Sequence, residues 1–417
     1  MEPKLSETLR KIGSFRKHYI PEEKKLSRDA KISLVIHWCF IFGASMSGIF
    51  LNLYLWRLTH SLWLNGMFSI INFIVVPIAF AVGGRIAKKR SVLFTFRMGI
   101  MLIALFYLSV IIAQEKVVDF YVLFAVFNGI ASAFYWIGFL TLMYDVSTDQ
   151  NRIRYLALNT ITFTSATLIG PALAGYIISQ FEGLRGYILI FTLAFIMFVV
   201  TTIISFRLKV YSPTHHKVYF LKYMGLLMRK NKRLHKALYA FFILGTLQGI
   251  MLFLPNILLY KVMAREDLIG YVGVLYLGLG IISSYFISRY ARASLVRVYL
   301  LLASMGFITG ASFLMWDISL YTVIIFVVFY YVFNPLQGNS MGSNYYNIMA
   351  NLPLKGELRI ESLVVREVFV NLGRIMAIFL LITFSNNLDS AWLPWMVLVS
   401  SIMQVGMLWL VERESSG

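Results

Sequence analysis

Acidic residues are scarce in this chain. Its 417 residues include 19 Asp and Glu against 38 Lys and Arg, and none of the acidic residues falls between 183 and 265. That stretch supplies no carboxylate for paired acid–base chemistry or for a hard cation. Charge of either sign is thin, at 14% of residues, where a soluble domain carries about a quarter. A chain of this kind does not fold around one soluble core. Cysteine is nearly absent. Cys39 stands alone in an apolar run, which excludes a disulfide framework and a cysteine metal site and leaves it as inert packing. His215-His216 form a pair without supporting ligands, so no metal is expected. There is no phosphate-cradling loop with its Lys, hence no ATPase of that type, and no triad candidate. Neither an enzyme nor a resident cofactor is expected. A short signal-peptide core is also missing: residues 1–31 are polar and basic, and the first apolar run is span-length.

What is abundant is apolar surface. The chain is 59% hydrophobic with a mean hydropathy of +0.74. A helix needs about 20 apolar residues to cross hydrocarbon. Twelve stretches qualify: 32–58, 62–84, 92–113, 118–143, 154–178, 185–206, 236–261, 267–288, 296–315, 319–343, 361–384 and 391–411. The fold class expected is an all-α polytopic membrane protein.

The net charge of +19 sits in short tracts between these runs, so membrane topology explains it better than nucleic acid. One set of connections carries the N-terminal segment, Arg85 to Arg90, Arg152, Arg154, the 207–235 connection, Arg289, Arg292, Lys355, Arg359 and the C-terminus. The other set is nearly neutral: His60, Gln114 to Asp119, Glu182, Arg185, Arg265 to Asp267, Asp317 and Asn386 to Asp389. The basic side is expected to be cytoplasmic, with both termini, in a cell membrane. Leu5, Leu9, Ile12, Phe15 and Tyr19 share one helical face beside Arg10, Lys11, Arg16 and Lys17, which reads as an interfacial helix. The 207–235 connection sets Tyr219, Phe220, Tyr223, Leu226 and Leu227 beside Lys217, Lys222, Arg229, Lys230, Lys232 and Arg233, which suits anionic headgroups.

The two halves repeat. At a shift near 204, Asn52 falls on Asn256, Arg57 on Lys261, Arg85 on Arg289 and Lys88 on Arg292. Val126-Phe127-Asn128 falls on Val332-Phe333-Asn334, Arg154 on Arg359, and Gly170-Pro171 on Gly373-Arg374 within three residues of that shift. This points to a duplicated six-span unit with a site between the halves near the midplane. The expected parts are a 1–31 segment, a 32–206 half, a 207–235 linker, a 236–411 half and a 412–417 tail.

Some motifs resemble those of the major facilitator superfamily, over about residues 32–411. Gly84-Arg85-Ile86-Ala87-Lys88-Lys89-Arg90 looks like its signature loop between spans two and three, with Lys88 where the family has an acidic residue. Asp145 followed by Arg152 and Arg154 looks like its loop into span five. Leu168 to Gly175, with Gly170-Pro171, resembles a motif of its exporters, with Ala174 at one glycine position. Its drug exporters carry an arginine in span four where this chain has Ala125, before Asn128-Gly129. The resemblance implies twelve helices in two pseudo-symmetric halves and alternating access. It does not extend to drug–proton exchange through that arginine.

Polar groups inside spans are costly and mark function by default. Span eleven holds Glu367, Asn371 and Arg374, spaced four and three apart on one helical face. Arg374 is expected to hold an anionic group, and Glu367 to be its partner or a proton-binding carboxylate; a structural salt bridge is the plainer alternative. Arg366 is expected to face headgroups. His37, near the face of Ser45, Gly48 and Asn52, is a coupling candidate or a packing residue. Asn52, Asn256, Asn128 and Asn334, with Gln248, Tyr135 and Trp136, are expected to line the cavity, against helix–helix hydrogen bonding. Arg57 and Lys261 read as interfacial anchors or a basic outer rim. Pro171 would kink span five. The function expected is proton-coupled export of a small anionic, zwitterionic or amphiphilic solute by a monomer. The rivals are a flippase for a lipid-linked precursor, a lipid-acting membrane enzyme and a scaffold that has lost transport.

Overall fold

The computed structural model describes residues 25–147, 151–209, 219–290, 295–352, 358–385 and 387–411. Every regular element among them is helical. Twelve stretches are long and apolar enough to cross a bilayer, so this is an integral, multi-pass membrane protein. Spans one to six are Arg28–Thr59, Leu62–Lys89, Val92–Ala113, Tyr121–Asp145, Arg152–Ser179 and Arg185–Ser205. Spans seven to twelve are Lys232–Met263, Glu266–Tyr290, Val296–Phe313, Leu320–Ala350, Arg359–Phe384 and Trp392–Leu410.

Short polar side chains set several helix starts. Ser27, Ser61, Ser91 and Asn231 each accept from the backbone N–H three residues on, at 3.1, 3.2, 3.0 and 3.1 Å, satisfying donors that the first turn leaves free. The duplication is written into these caps. Ser27 opens span one and Asn231 opens span seven, a separation of 231 − 27 = 204 residues. His60 and Ala264, again 204 apart, close the same spans in the left-handed region, at φ 48° and 52°. Each donates its N–H to the carbonyl four residues back, Trp56 or Tyr260, at 2.7 Å. The matched caps show two six-helix halves with one plan.

The structure corrects parts of the sequence reading. Span two continues through Arg85–Lys89, so the signature loop is its last helical turn. Arg, Ala and Lys are good helix formers, and Arg90 closes the helix by donating to the Ile86 carbonyl at 2.8 Å. Span seven is broken into Lys232–Met251 and Leu254–Met263. Pro255 lacks an N–H and its ring would clash with the carbonyl of Met251, four residues back, and here the helix breaks, where span five stays continuous through Pro171. Span ten runs on to Ala350. The 207–235 connection contains a helix, Leu221–Lys230, that buries Met224 and Leu227 and exposes Lys222, Arg229 and Lys230. Most of the 1–31 segment, His215-His216, Arg292, Lys355 and the 412–417 tail lie outside the described residues, as do the side chains of Arg152, Arg154, Arg289 and Arg359.

Across the seam, span two packs on span eleven and span five on span eight. Inside the second half, span seven packs on span eleven. A Cβ added at Gly249 would stand 2.8 Å from Arg374 Cα, so only glycine permits this approach. That closeness sets Gln248, its neighbour in sequence, against the Arg374 side chain.

Candidate transport site

A cavity of about 400 Å³ opens on the first half's side of the seam. Asn52 of span one, Asn72 of span two and Asn128 of span four line it, with Phe73 and Trp136 among its rings. Leu252 reaches in from the break in span seven. Broken helices at mid-membrane are where transporters place irregular backbone beside a ligand.

The charges of span eleven stand beyond Phe73. Arg374 donates from Nη1 to Asn371 Oδ1 at 3.1 Å and from Nη2 to Gln248 Oε1 at 2.9 Å. Its Cζ lies 5.1 Å from the centre of the Phe73 ring, so a cation of one half rests on an aromatic face of the other. Arg374 Nε is shut off from solvent and has no acceptor. Asn371 is fully buried and donates from Nδ2 to Glu367, to the carbonyl at 2.8 Å and to Oε2 at 3.3 Å. Glu367 Oε1 accepts from Arg366 Nη2 at 2.7 Å. Glu367, Asn371 and Arg374 therefore do share a face, but Asn371 stands between the two charges. The carboxylate pairs with Arg366, not Arg374. Arg366 does not point to headgroups: it is only 21% exposed and lies over the Phe241 ring. Adjacent residues on a helix normally diverge, and the long guanidinium arm overcomes that divergence.

Each end of the seam is latched. On the basic face, Lys88 Nζ meets Glu361 Oε1 at 2.6 Å, joining span two to span eleven, with side chains 2% and 0% exposed. The backbone N–H of Phe220, in the inter-half connection, donates to the same oxygen at 2.9 Å. Gly84 lies against Ile360 and Tyr219. Burial, then the Glu361 charge, holds the Tyr219 phenol well above its ordinary range. Lys88 thus replaces the family's acidic residue with a cation, and an acid on span eleven answers it. On the opposite face, Arg57 of span one donates to Glu266 of span eight at 2.7 Å, and Tyr187 donates to the same oxygen at 3.2 Å. Lys261 pairs with Asp389 at 2.6 Å within the second half. Arg57 and Lys261, the expected anchors or basic outer rim, are each tied into an ion pair, and Arg57 also lines an open pocket on that face.

The remaining candidates divide. Asn52, Asn128 and Trp136 line the cavity. Gln248 serves Arg374. Asn256 and Asn334 do not line it; Asn256 is 7% exposed, and its Oδ1 meets no partner. His37 and Tyr135 are withdrawn from the cavity, at 1% and 0% exposure. They bond to each other, Nδ1 to Oη, at 2.8 Å, and His37 stacks 3.8 Å above Phe139. Aromatic neighbours on span four close over the ring that the helical face alone would have offered to the cavity. Pro171 packs near Gly270 of span eight, where the halves meet, within an unbroken helix. Gly170 lies against Ser45 of span one. Asp145 ends span four. Sequence reasoning missed Asn72, Phe73, Glu361 and Glu266.

Two six-helix halves around a seam that holds a solute-sized cavity define a polytopic membrane transporter. The sequence model described as Major Facilitator Superfamily matches residues 33–357. The chain belongs to the Major Facilitator Superfamily. It is 30% identical over 352 residues, 84% of this chain and 81% of its relative, to "Uncharacterized protein YqgE" of Bacillus subtilis (strain 168). A second relative, "Uncharacterized protein in sodM 3'region" of Geobacillus stearothermophilus, is 28% identical over 40% of this chain and 79% of its own length. Among solved structures, a point mutant of the nucleoside transporter NupG superposes with a TM-score of 0.70 at 13% identity, covering 92% of this chain and 98% of that one. A D-xylose-proton symporter gives 0.70 at 12%, covering 92% and 97%. At such identities these two share the fold.

Proposed function

We propose that this protein is a proton-coupled secondary transporter that moves a small solute by rocking its two halves about the seam. One observation carries the reading: the cavity and the charged row of span eleven are neighbours across the seam, parted by the single ring of Phe73. Charged side chains at mid-membrane are retained where they bind or couple. In this scheme Arg374 reports the position of the opposite half through Phe73. Glu367, already hydrogen-bonded to Asn371, is the carboxylate that takes and releases the proton.

The basic face is proposed as cytoplasmic, since Lys and Arg concentrate there, with the protein a monomer in the cell membrane. Residues 207–235 act as the inter-half linker, and its exposed Lys222, Arg229 and Lys230 meet anionic headgroups. Export is the proposed direction, supported by the exporter-like Leu168-to-Gly175 sequence. Flux measured in vesicles of known orientation tests it.

Glu367→Gln removes the proton site and keeps the amide-compatible shape. The expected result is that a pH gradient no longer accelerates flux, while exchange without a gradient persists. Unchanged acceleration by the gradient in this variant would remove Glu367 from coupling.

A further inference from the structure

The cavity has unspent hydrogen-bonding capacity and no charge. Among the described residues, the side chains of Asn52, Asn72 and Asn128 engage no protein partner, although each lines the cavity from a different span. Each carboxamide offers two donors and two acceptor lone pairs. Trp136 and Phe73 add aromatic faces to the same lining. No Asp, Glu, Lys, Arg or His is among the described residues that line it. The nearest cation has its terminal nitrogens committed to Asn371 and Gln248, and Phe73 stands against its guanidinium face.

Resting on the transporter reading above, we propose that the cavity takes an uncharged solute with one flat ring and several hydroxyl or amide groups. The physical argument is selective solvation. An ionic solute would leave water for a site that offers no countercharge, which is strongly unfavourable. A neutral polar solute exchanges its hydrogen bonds with water for bonds to three amides and stacks its flat face on indole or phenyl. Carboxamides both donate and accept, so they match hydroxyls and ring amides equally. A volume of about 400 Å³ is in the range of pockets that enclose small molecules, about 300–1,000 Å³. This narrows the expectation drawn from Arg374 in the sequence: the guanidinium serves the moving halves, and the solute carries no anion for it.

The test uses the full chain purified in detergent. Its melting is followed with nucleosides and aryl glycosides, each beside its phosphorylated counterpart at equal concentration. The expected result is a rise of several degrees with at least one neutral member, and at least tenfold weaker binding of its phosphorylated partner. Asn72→Leu and Asn128→Leu are each expected to weaken that binding about tenfold, as loss of a buried hydrogen-bonding partner does, with unliganded melting held as the check on folding. Tighter binding of phosphorylated members overturns the proposal. So does the absence of any neutral stabiliser, or binding that ignores both Asn variants. Neutral solutes that bind with this pattern but never cross vesicle membranes would uphold the site and reject the transporter reading. Flux of ionic solutes, insensitive to the two variants, would do the reverse.

Discussion

Replacing Arg374 with Ala is expected to abolish flux while leaving insertion, monodispersity and folded yield unchanged. The guanidinium holds Asn371 Oδ1 and Gln248 Oε1 and lies on Phe73. Its loss leaves the buried Asn371 acceptor without a donor, at about 1–3 kcal/mol, strips a bond from the half-buried Gln248, and removes a cation–π contact worth about 0.5–2 kcal/mol. A combined loss near 3 kcal/mol in the conformations that carry the solute is about 100-fold in rate. Folding is spared for a different reason. The Asn371 bond lies within span eleven and does not join helices. The Gln248 bond, as a hydrogen bond between membrane helices, contributes only about 0.6 kcal/mol to assembly, because the unassembled helices also find partners. Flux must therefore be expressed per folded molecule. Arg374→Lys keeps the charge but loses the planar fork, and is expected to fall between Ala and the parent protein. A loss of folded yield that parallels the loss of flux would make Arg374 a structural residue only. Normal flux in the Ala variant would remove it from the mechanism.

Glu361→Ala is the second large expected effect. The Lys88–Glu361 pair is almost wholly buried, with side chains 2% and 0% exposed, and it bridges the halves. Removing one partner of such a pair leaves the other charge buried without its counter-ion, at a cost of about 3–5 kcal/mol. That cost falls on the conformation in which the basic face is closed. The open conformation hydrates Lys88 and escapes it. The population is therefore expected to shift toward opening by about two to three and a half powers of ten. A cysteine placed at Ile360, which is 4% exposed and lies against Gly84, should then react with a water-soluble maleimide where it was protected before. Cys39 is buried and is replaced by Ser in this background. The double variant Lys88→Met with Glu361→Met should restore protection, since apolar replacement of a whole buried pair is often neutral. Failure of the double variant to restore it would mean that packing at Gly84, not charge, closes this face.

Much of the fold is legible in the sequence because bilayer thickness leaves few alternatives for apolar runs of this length. The duplication shows through polar landmarks, and the matched caps Ser27/Asn231 and His60/Ala264 give it a backbone cause. The break in span seven is not legible, although Pro255 is in plain view: a proline inside a span kinks some helices and breaks others, and the sequence does not say which. The site is reached in part. Asn52 and Asn128 stand out because the repeat doubles them. Asn72 does not, since its counterpart at a shift of 204 is Tyr276. Glu361 lies at a span end and resembles a flank, and its partner is 273 residues away. Tyr135 is misplaced by the sequence reading, and His37 is left between coupling and packing, because a helical face says which side chains align, not which neighbouring helix covers them. Arg366 is misdirected by the same arithmetic, applied to a side chain long enough to turn back.

The two latches make one mechanical statement: closing either face depends on ion pairs between halves, Lys88–Glu361 on one side and Arg57–Glu266 on the other. Two spin-label pairs, read by pulsed electron–electron distance measurement in lipid nanodiscs, test this directly. Lys89 and Asn347 serve the basic face, and Gln180 and Trp316 the opposite face; all four are exposed. Glu361→Ala is expected to lengthen the first distance while the second shortens or holds, and Arg57→Ala to lengthen the second while the first shortens or holds. Distances that stay fixed in both variants, or that lengthen together, would contradict two rigid halves rocking about one seam.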